Sequence, residues 1–202
     1  EQHCQMMKES GIDAVILQWT PSTVDDGYLS ITLDKLIKAA SPLGLKVSIQ
    51  IQPFENRTAR LVGESLEFVY STYGNHPTWL RLLGVPVALV YEPHSIKGMY
   101  SVLDNLKKNG KDFYLVASFV EQSHIATAFE AGFDAVFTFF SSNGFTFSSN
   151  TTKWNFISQF CKRRGIEFIP AVGPGFDDGV RSYVKYKPRR NRTSGEHYSI
   201  MW

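Results

Sequence analysis

The chain has 202 residues, enough for one domain with a substantial core. It is 43% hydrophobic and 20% charged, which excludes a disordered chain. Its net charge of +2 is too small to indicate a nucleic-acid partner, and no apolar run approaches the ~20 residues of a membrane span. An aromatic share of 14% is a weak indication of a surface that stacks on sugars or bases.

The first half of the chain alternates helical and strand patterns. His3–Ser10 has the pattern of a helix end, and Gly11 follows it as a C-cap. The next predicted elements, in chain order, are a strand over Ala14–Trp19, a helix over Ile31–Ala40, a strand over Lys46–Phe54, a helix over Ala59–Tyr73 and a strand over Pro86–Tyr91.

The second half continues the alternation. Gly132–Thr146 contains an apolar run, Ala135–Phe140, that switches abruptly to small polar residues, as expected of a buried strand with a polar C-terminal turn. The other predicted elements are a helix over Ile96–Lys108, a strand over Phe113–Val120, a helix over Ser123–Ala131 with Ser123 as its N-cap, a helix over Thr152–Arg164, a strand over Glu167–Val172 and mostly loop over Phe176–Trp202.

Six strands alternating with helices predict parallel βαβ units, either in an open doubly wound sheet or in a (β/α)8 TIM barrel. No G-x-G-x-x-G or G-x-x-x-x-G-K-[ST] motif follows a strand, which counts against a nucleotide-binding sheet. A barrel typically needs ~250 residues. We therefore expect residues 1–202 to form one α/β domain, an incomplete TIM barrel of about six βα units that lacks the first and last strands.

Binding groups of a barrel lie at the C-terminal ends of its strands. Aromatic rings and carboxylates are mixed there, a combination that suits a glycosidase, although strand-end acids such as Glu121 often serve as helix N-caps instead. These strand-end residues are Trp19, Gln52, Phe54, Glu55, Tyr91, Glu92, Glu121, Phe139, Phe140, Asn143, Asp177 and Asp178.

Other motifs give little indication of chemistry. The five histidines lack metal-ligand spacing, and no G-x-S-x-G motif is present. Cys4 and Cys161 are too few for a disulfide framework, so we expect two free thiols. The basic run over 185–192 is better explained as a solvated loop than as a phosphate site. Sequons at Asn56, Asn150 and Asn191 are compatible with a secretory-pathway protein.

A set of short segments resembles glycoside hydrolase family 99, the endo-α-1,2-mannosidases of the Golgi and their bacterial relatives. Each segment alone is weak, but they follow the family order over essentially the whole chain. The segments are Gln18-Trp19-Thr20-Pro21, Ile51-Gln52-Pro53-Phe54 with Asn56-Arg57, Tyr73-Gly74-Asn75-His76-Pro77, Val90-Tyr91-Glu92, Ala131-Gly132-Phe133-Asp134, Phe139-Phe140 with Ser142-Asn143-Gly144-Phe145-Thr146, Ile169 to Gly175, and Arg190-Asn191-Arg192 with Gly195 and Tyr198.

The resemblance implies a retaining, metal- and cofactor-independent hydrolase that cleaves internal α-1,2-mannosidic bonds in glucosylated high-mannose N-glycans. It implies the lumenal side of the Golgi membrane if the source is eukaryotic, and the parent protein could carry a membrane anchor. It also implies a catalytic carboxylate pair in an N-E-W-H-E-type motif, which this sequence does not contain. No residue of this chain is therefore assigned as catalytic, and we expect the chain alone to be inactive.

The resemblance also implies a set of substrate-binding residues, three of which depart from the family pattern. Gln52 stands where the family usually has Glu, Phe139 where it usually has Tyr, and Glu92 where it usually has Asp. Gln52 keeps hydrogen bonding but lacks the charge. The substrate-binding residues implied are Trp19, Gln52, Arg57, Tyr91, Glu92, Phe139, Asn143 and Arg192.

Three alternatives remain beside this interpretation. Gln52 and Phe139 are compatible with a non-catalytic glycan-binding member of the same family, a pseudoenzyme. An open barrel could also lack any stable function. Finally, Trp19 and Phe139 could be ordinary packing residues at the top of the barrel rather than sugar platforms.

Overall fold

The computed structural model describes residues 1–21, 28–138, 144–177 and 189–201. A sheet of seven strands forms its centre. The strands are β1 (Ala14–Trp19), β2 (Lys46–Ile51), β3 (Arg81–Leu82), β4 (Val85–Val90), β5 (Tyr114–Phe119), β6 (Ala135–Thr138) and β7 (Glu167–Ile169). Six of them run parallel in the order β1-β2-β4-β5-β6-β7, and β3 pairs antiparallel with β4 as a short hairpin.

The described helices are α1 (Gln2–Glu9), α2 (Tyr28–Ala40), α3 (Ala59–Tyr73), α4 (Met99–Lys108), α5 (Gln122–Glu130), α6 (Trp154–Lys162) and α7 (Glu196–Met201). Two further short strands, β8 (Phe176–Asp177) and β9 (Arg189–Arg190), pair antiparallel with each other. Helices α2 to α6 connect the parallel strands, whereas α1 precedes β1 and α7 follows β9. The chain thus runs strand, helix, strand from β1 to β7, as the sequence pattern predicts.

The two faces of the sheet bury different clusters because side chains alternate along each strand. On β2, Val47, Ile49 and Ile51 are fully buried in the larger cluster, which also contains the inner faces of the helices. The opposite face carries a smaller, separate cluster of Val87, Tyr114, Val116 and Ala135, with Leu89 and Phe137 packed against it. In a barrel this second face is the interior.

The sheet does not close on itself in the described part of the chain. β1 pairs only with β2, and β7 pairs only with β6, so each forms an edge. The prediction of a parallel α/β architecture corresponding to an incomplete barrel is therefore confirmed.

Several predicted boundaries are wrong by a few residues, for local reasons. The strands predicted to reach Phe54 and Val172 end at Ile51 and Ile169, just before segments that contain Pro53 and Pro170, which have no N–H for a ladder bond. The N-cap of α5 is Glu121 rather than Ser123, which lies inside the helix. Helix α4 begins at Met99 because Gly98 precedes it in the left-handed conformation, with φ 83°.

The prediction of mostly loop after Phe176 is also wrong in part. Helix α7 lies in this region, and its Met201 is 2% exposed. The Thr193 hydroxyl oxygen accepts a hydrogen bond from the His197 N–H at 3.1 Å, which supports the start of this helix. The polar composition of the segment concealed a helix of only six residues.

Candidate active site

The carboxyl ends of β2, β4 and β5 lie side by side. Ile51 is paired with Val90, and Val90 with Ala117. The pairing continues one residue beyond the strands, because the Tyr91 N–H donates to the Ile51 carbonyl at 3.0 Å. This arrangement brings Gln52, Tyr91 and Glu92 to one end of the sheet, at the position where parallel α/β folds bind ligands.

Glu92 has an unusual backbone conformation. Its φ of 43° and ψ of 55° place it in the left-handed region, which costs a residue with a side chain about 1–2 kcal/mol. Two serines hold the turn: the Glu92 N–H donates to Ser118 Oγ at 2.6 Å, and Ser95 Oγ donates to the Glu92 carbonyl at 2.8 Å. Such strain is frequently found at functional sites, where the surrounding structure compensates for it.

Arg57 braces the same turn from the loop after β2. Its Nη1 donates to the Tyr91 carbonyl at 2.7 Å, and its Nη2 lies 3.4 Å from Ser95 Oγ. Partial burial lowers the pKa of Arg57, whereas the neighbouring Glu92 and Tyr91 act in the opposite direction. The structure thus brings together Arg57, Tyr91 and Glu92, three of the residues that the family resemblance implies.

Tyr91 is held as a hydrogen-bonding phenol. Burial raises its pKa, and the charge of Glu92 and a hydrogen bond with the Glu92 side chain raise it further. The Tyr91 hydroxyl therefore remains protonated at neutral pH. With the phenol O–H donated to the carboxylate, the phenol oxygen and the second carboxylate oxygen can still accept from the hydroxyls of one ligand.

Gln52 follows β2 on the interior side. Its N–H donates to the Trp19 carbonyl at 2.8 Å, which extends the pairing of β1 and β2. Its side-chain nitrogen is buried and has no hydrogen-bond partner among the described residues. Gln52 therefore offers a donor at the same end of the sheet as Tyr91 and Glu92.

Trp19 lies on the other face of the sheet. Its side chain is 1% exposed, and its ring is stacked on Phe68 of α3, with centroids 6.4 Å apart and planes at 12°. Strand alternation places it with Val15 and Leu17 in the cluster between sheet and helices. This geometry favours the packing alternative for Trp19 over a sugar platform at the barrel mouth, and the alternation was already visible in the sequence.

The remaining implied residues are not brought into this group. Phe139 and Asn143 lie outside the described residues. Arg192 is exposed and follows β9; its carbonyl accepts from the Gly195 N–H at 2.9 Å. Glu121 is the N-cap residue of α5, as the structural alternative for it predicted.

A stacked histidine pair beside the site was missed by the sequence reasoning. The rings of His94 and His124 are nearly parallel, at 11°, with centroids 3.4 Å apart. The Glu121 N–H donates a hydrogen bond to His124 Nδ1, at 3.3 Å. Burial lowers the pKa of both rings. His94 and His124 are 30 residues apart in the sequence, so no local motif could have predicted the pair.

Other features of the described residues do not add to the site. No group of three or more His, Cys, Asp or Glu among them could hold a metal ion. No helix among them is long and apolar enough to cross a membrane. A cavity of about 610 Å³ lies near the C-terminal ends of α2 and α3, at the other end of the sheet, beside Asp34, Tyr73 and His76. Cys4 and Cys161 are free thiols, as predicted, and both are buried.

Comparison with known proteins gives one consistent family. The family model described as "Glycosyl hydrolase family 99" matches residues 1–202. The glycoprotein endo-alpha-1,2-mannosidase of Mus musculus is 29% identical over 216 residues, covering 99% of this chain and 46% of that protein. A human glycoprotein endo-alpha-1,2-mannosidase-like protein is 29% identical over 213 residues, covering 98% of this chain and 46% of its own length.

Solved structures agree with the sequence comparisons. The GH99 endo-alpha-mannosidase from Bacteroides thetaiotaomicron in complex with BIS-TRIS-propane superposes with a TM-score of 0.90 at 25% identity, covering 99% of this chain and 64% of that one. A second structure of that enzyme gives 0.87 at 27% identity. The chain spans about half the length of the curated relatives it matches. Since the family model covers all 202 residues, the chain belongs to glycosyl hydrolase family 99.

Proposed function

We propose that this chain is part of an endo-α-1,2-mannosidase that hydrolyses internal α-1,2-mannosidic bonds in glucosylated high-mannose N-glycans, with retention. The observation that carries the proposal is the family match over residues 1–202 together with the cluster of Gln52, Tyr91 and Glu92 at the strand ends. In this proposal the chain forms one side of the glycan-binding site. The carboxylate pair that performs the reaction belongs to a motif outside these residues.

The residues at the strand ends and those around them have different roles in the proposal. Since the Tyr91 hydroxyl is hydrogen-bonded to the Glu92 side chain, the phenol oxygen and the remaining lone pairs of the carboxylate both accept hydrogen bonds from sugar hydroxyls. Arg57 positions them through the Tyr91 carbonyl and contacts the glycan less directly than the family resemblance implies. Phe139, Asn143 and Arg192 stay in the proposed substrate-binding set, whereas the burial of Trp19 argues for leaving it out.

We place the activity on the lumenal side of the Golgi for a eukaryotic source. The family resemblance implies this location, and the similar proteins named as a mannosidase or mannosidase-like protein come from Mus musculus and Homo sapiens, both eukaryotes. Asn56 and Asn191, two of the three sequon asparagines, are exposed and so are accessible to a glycosylating enzyme.

Release of disaccharide from a glucosylated high-mannose N-glycan tests the proposal. We expect none from the 202-residue chain. We expect release from a chimaera that joins this chain to the rest of the Bacteroides thetaiotaomicron barrel, since the family resemblance implies that the carboxylate pair lies in that segment. Hydrolysis by the chain alone would contradict the assignment of catalysis to residues outside it. A melting curve of each protein serves as the folding control.

The second candidate is a non-catalytic glycan-binding protein of the same family. It is favoured by Gln52, a neutral residue where family members usually carry Glu. A chimaera that is folded and binds mannosyl-α-1,2-mannose but releases no disaccharide would support it.

Gln52→Glu distinguishes the two candidates further. If the chimaera is an enzyme, the added charge should raise kcat more than it changes KM, because an interaction made mainly in the transition state acts on turnover. The matched control is Gln159→Glu, which places the same charge on an exposed residue of the outer helix α6, away from the strand ends. Equal or lower kcat in Gln52→Glu would show that this position does not limit turnover.

A further inference from the structure

Gln50, in the middle of β2, has a buried side-chain amide whose nitrogen is left without a hydrogen-bond partner by the described residues. Its side chain is 6% exposed, and its Nε2 forms no hydrogen bond with the described residues. A buried donor left unpaired is destabilising, so proteins rarely keep one without a reason. The simplest reason is an acceptor that arrives with a ligand.

The position of Gln50 points to the same ligand as the strand ends. Strand alternation places Ser48, Gln50 and Gln52 on one face, the interior face of the sheet. The Ser48 hydroxyl is satisfied, since it donates to the Val87 carbonyl at 2.7 Å. The two glutamines beyond it both have buried, unpaired nitrogens. They form an amide row that leads from the strand end toward the centre of the sheet.

The residues paired with Gln50 are neutral. Gln18 is paired with Gln50 across β1 and β2, and Leu89 is paired with Gln50 on the other side. Beyond Leu89, this face carries the apolar cluster of Val87, Tyr114, Val116 and Ala135 on β4 to β6. Uncharged amide donors beside apolar side chains suit an uncharged ligand that has both hydroxyl acceptors and C–H faces. The indole nitrogen of Trp19 is also buried and unpaired, but it lies on the helix side.

We propose that Gln50 is a ligand-binding residue, which with Gln52 donates hydrogen bonds to the hydroxyl oxygens of a sugar below the strand-end cluster. The two amides lie two residues apart on one strand, about 6.6 Å along its axis, so they reach different hydroxyls. This inference rests on the proposed function, because it takes the ligand to be an α-1,2-mannosyl glycan. It adds a deeper contact that the family resemblance did not supply.

Gln50→Leu tests the inference in the 202-residue chain, with mannosyl-α-1,2-mannose as the probe. Removing the unpaired amide should leave the Tm of the free chain unchanged or raise it. The Kd should rise about fivefold or more, as expected for the loss of one hydrogen bond. Ser48→Ala is the matched control on the same strand face: it removes a satisfied hydroxyl, so it should lower the Tm and leave the Kd unchanged.

Two results would overturn the inference. A Kd for Gln50→Leu equal to that of the unaltered chain would show that the amide does not contact the sugar. A Tm lowered as much as in Ser48→Ala would show that the amide is satisfied within the protein. Failure of the proposed function has a different signature, because the unaltered chain would then not bind the disaccharide at all.

Discussion

Trp19 and Gln18 are adjacent in β1 but face opposite layers of the molecule. Gln18 is exposed on the interior face, whereas Trp19 packs between the sheet and α3. The end of a strand therefore does not by itself determine whether an aromatic ring meets a ligand. The direction of its side chain decides this, and the direction follows from strand alternation.

Trp19→Ala should consequently behave as a core substitution. We expect the free energy of unfolding to fall by about 3–5 kcal/mol, as for other buried tryptophans. The Kd for mannosyl-α-1,2-mannose, measured below the lowered Tm, should stay unchanged. Leu83→Ala is the control, because Leu83 is 91% exposed and its loss should be nearly neutral. A weakened affinity with an unchanged melting curve would restore Trp19 to the binding site.

Glu92 and Leu83 share a strained backbone but differ in location. Both have positive φ, 43° and 50°, yet Glu92 lies at the strand-end cluster and Leu83 lies in the exposed β3–β4 turn. Glycine adopts this conformation without the steric cost of a side chain. Comparing glycine substitutions at Glu92 and Leu83 therefore distinguishes the effect of relieving backbone strain from the effect of losing the Glu92 side chain.

Glu92→Gly and Leu83→Gly should each stabilise the fold by up to about 1 kcal/mol, measured by denaturant unfolding. Only Glu92→Gly should weaken binding of the disaccharide, because only Glu92 offers a carboxylate to the ligand. If Glu92→Gly left the affinity intact, the strained turn would have no role in binding.

At the scale of elements, the His94–His124 stack joins two neighbouring βα connections. His94 belongs to the short 3-10 segment Pro93–Ser95 after β4, and His124 to the first turn of α5 after β5. Burial, then the charge of His124, lowers the pKa of His94, although Glu92 acts in the opposite direction. Burial also lowers the pKa of His124, opposed by Glu121 and Glu92.

This pair should make the fold sensitive to mild acid. A histidine whose pKa is lowered on folding binds its proton more readily in the unfolded chain. Its contribution is therefore fully present above its ordinary pKa of 6.5 and is lost as the pH falls below that value toward the lowered folded pKa.

Melting curves between pH 8 and 5 test this pair. His94→Phe keeps a stacked ring but does not titrate, so its Tm should fall less than that of the unaltered chain over this range, with pH 8 as the reference. Identical pH dependence in both proteins would contradict the role given to the pair.

Local patterns predicted the elements themselves well and their ends less well. The helix over Ala59–Tyr73 and the strand over Ala14–Trp19 were predicted with the observed bounds because their apolar spacing is regular. Strand ends near Pro53 and Pro170 were placed too late, since apolar residues continue past the last ladder bond. The six-residue α7 has too few turns to show a period.

In the whole molecule, the parallel architecture of the sheet followed from the alternation of strands and helices, but the composition of its interior face did not. That face has a polar side on β1 and β2, with Gln18 and Gln50, and an apolar side on β4 to β6. Contacts such as Glu92 with Ser118 and His94 with His124 join distant parts of the chain. No local motif encodes them, so only the fold reveals them.

The polar and apolar sides of this face support the proposal that the carboxyl end of this sheet binds α-1,2-linked mannose. Calorimetric titration of the chain with mannosyl-α-1,2-mannose and with mannosyl-α-1,6-mannose tests that proposal directly. We predict that the α-1,2-linked disaccharide binds at least about tenfold more tightly, a difference of about 1.4 kcal/mol. Equal affinity for the two linkages, or binding of neither, would contradict it.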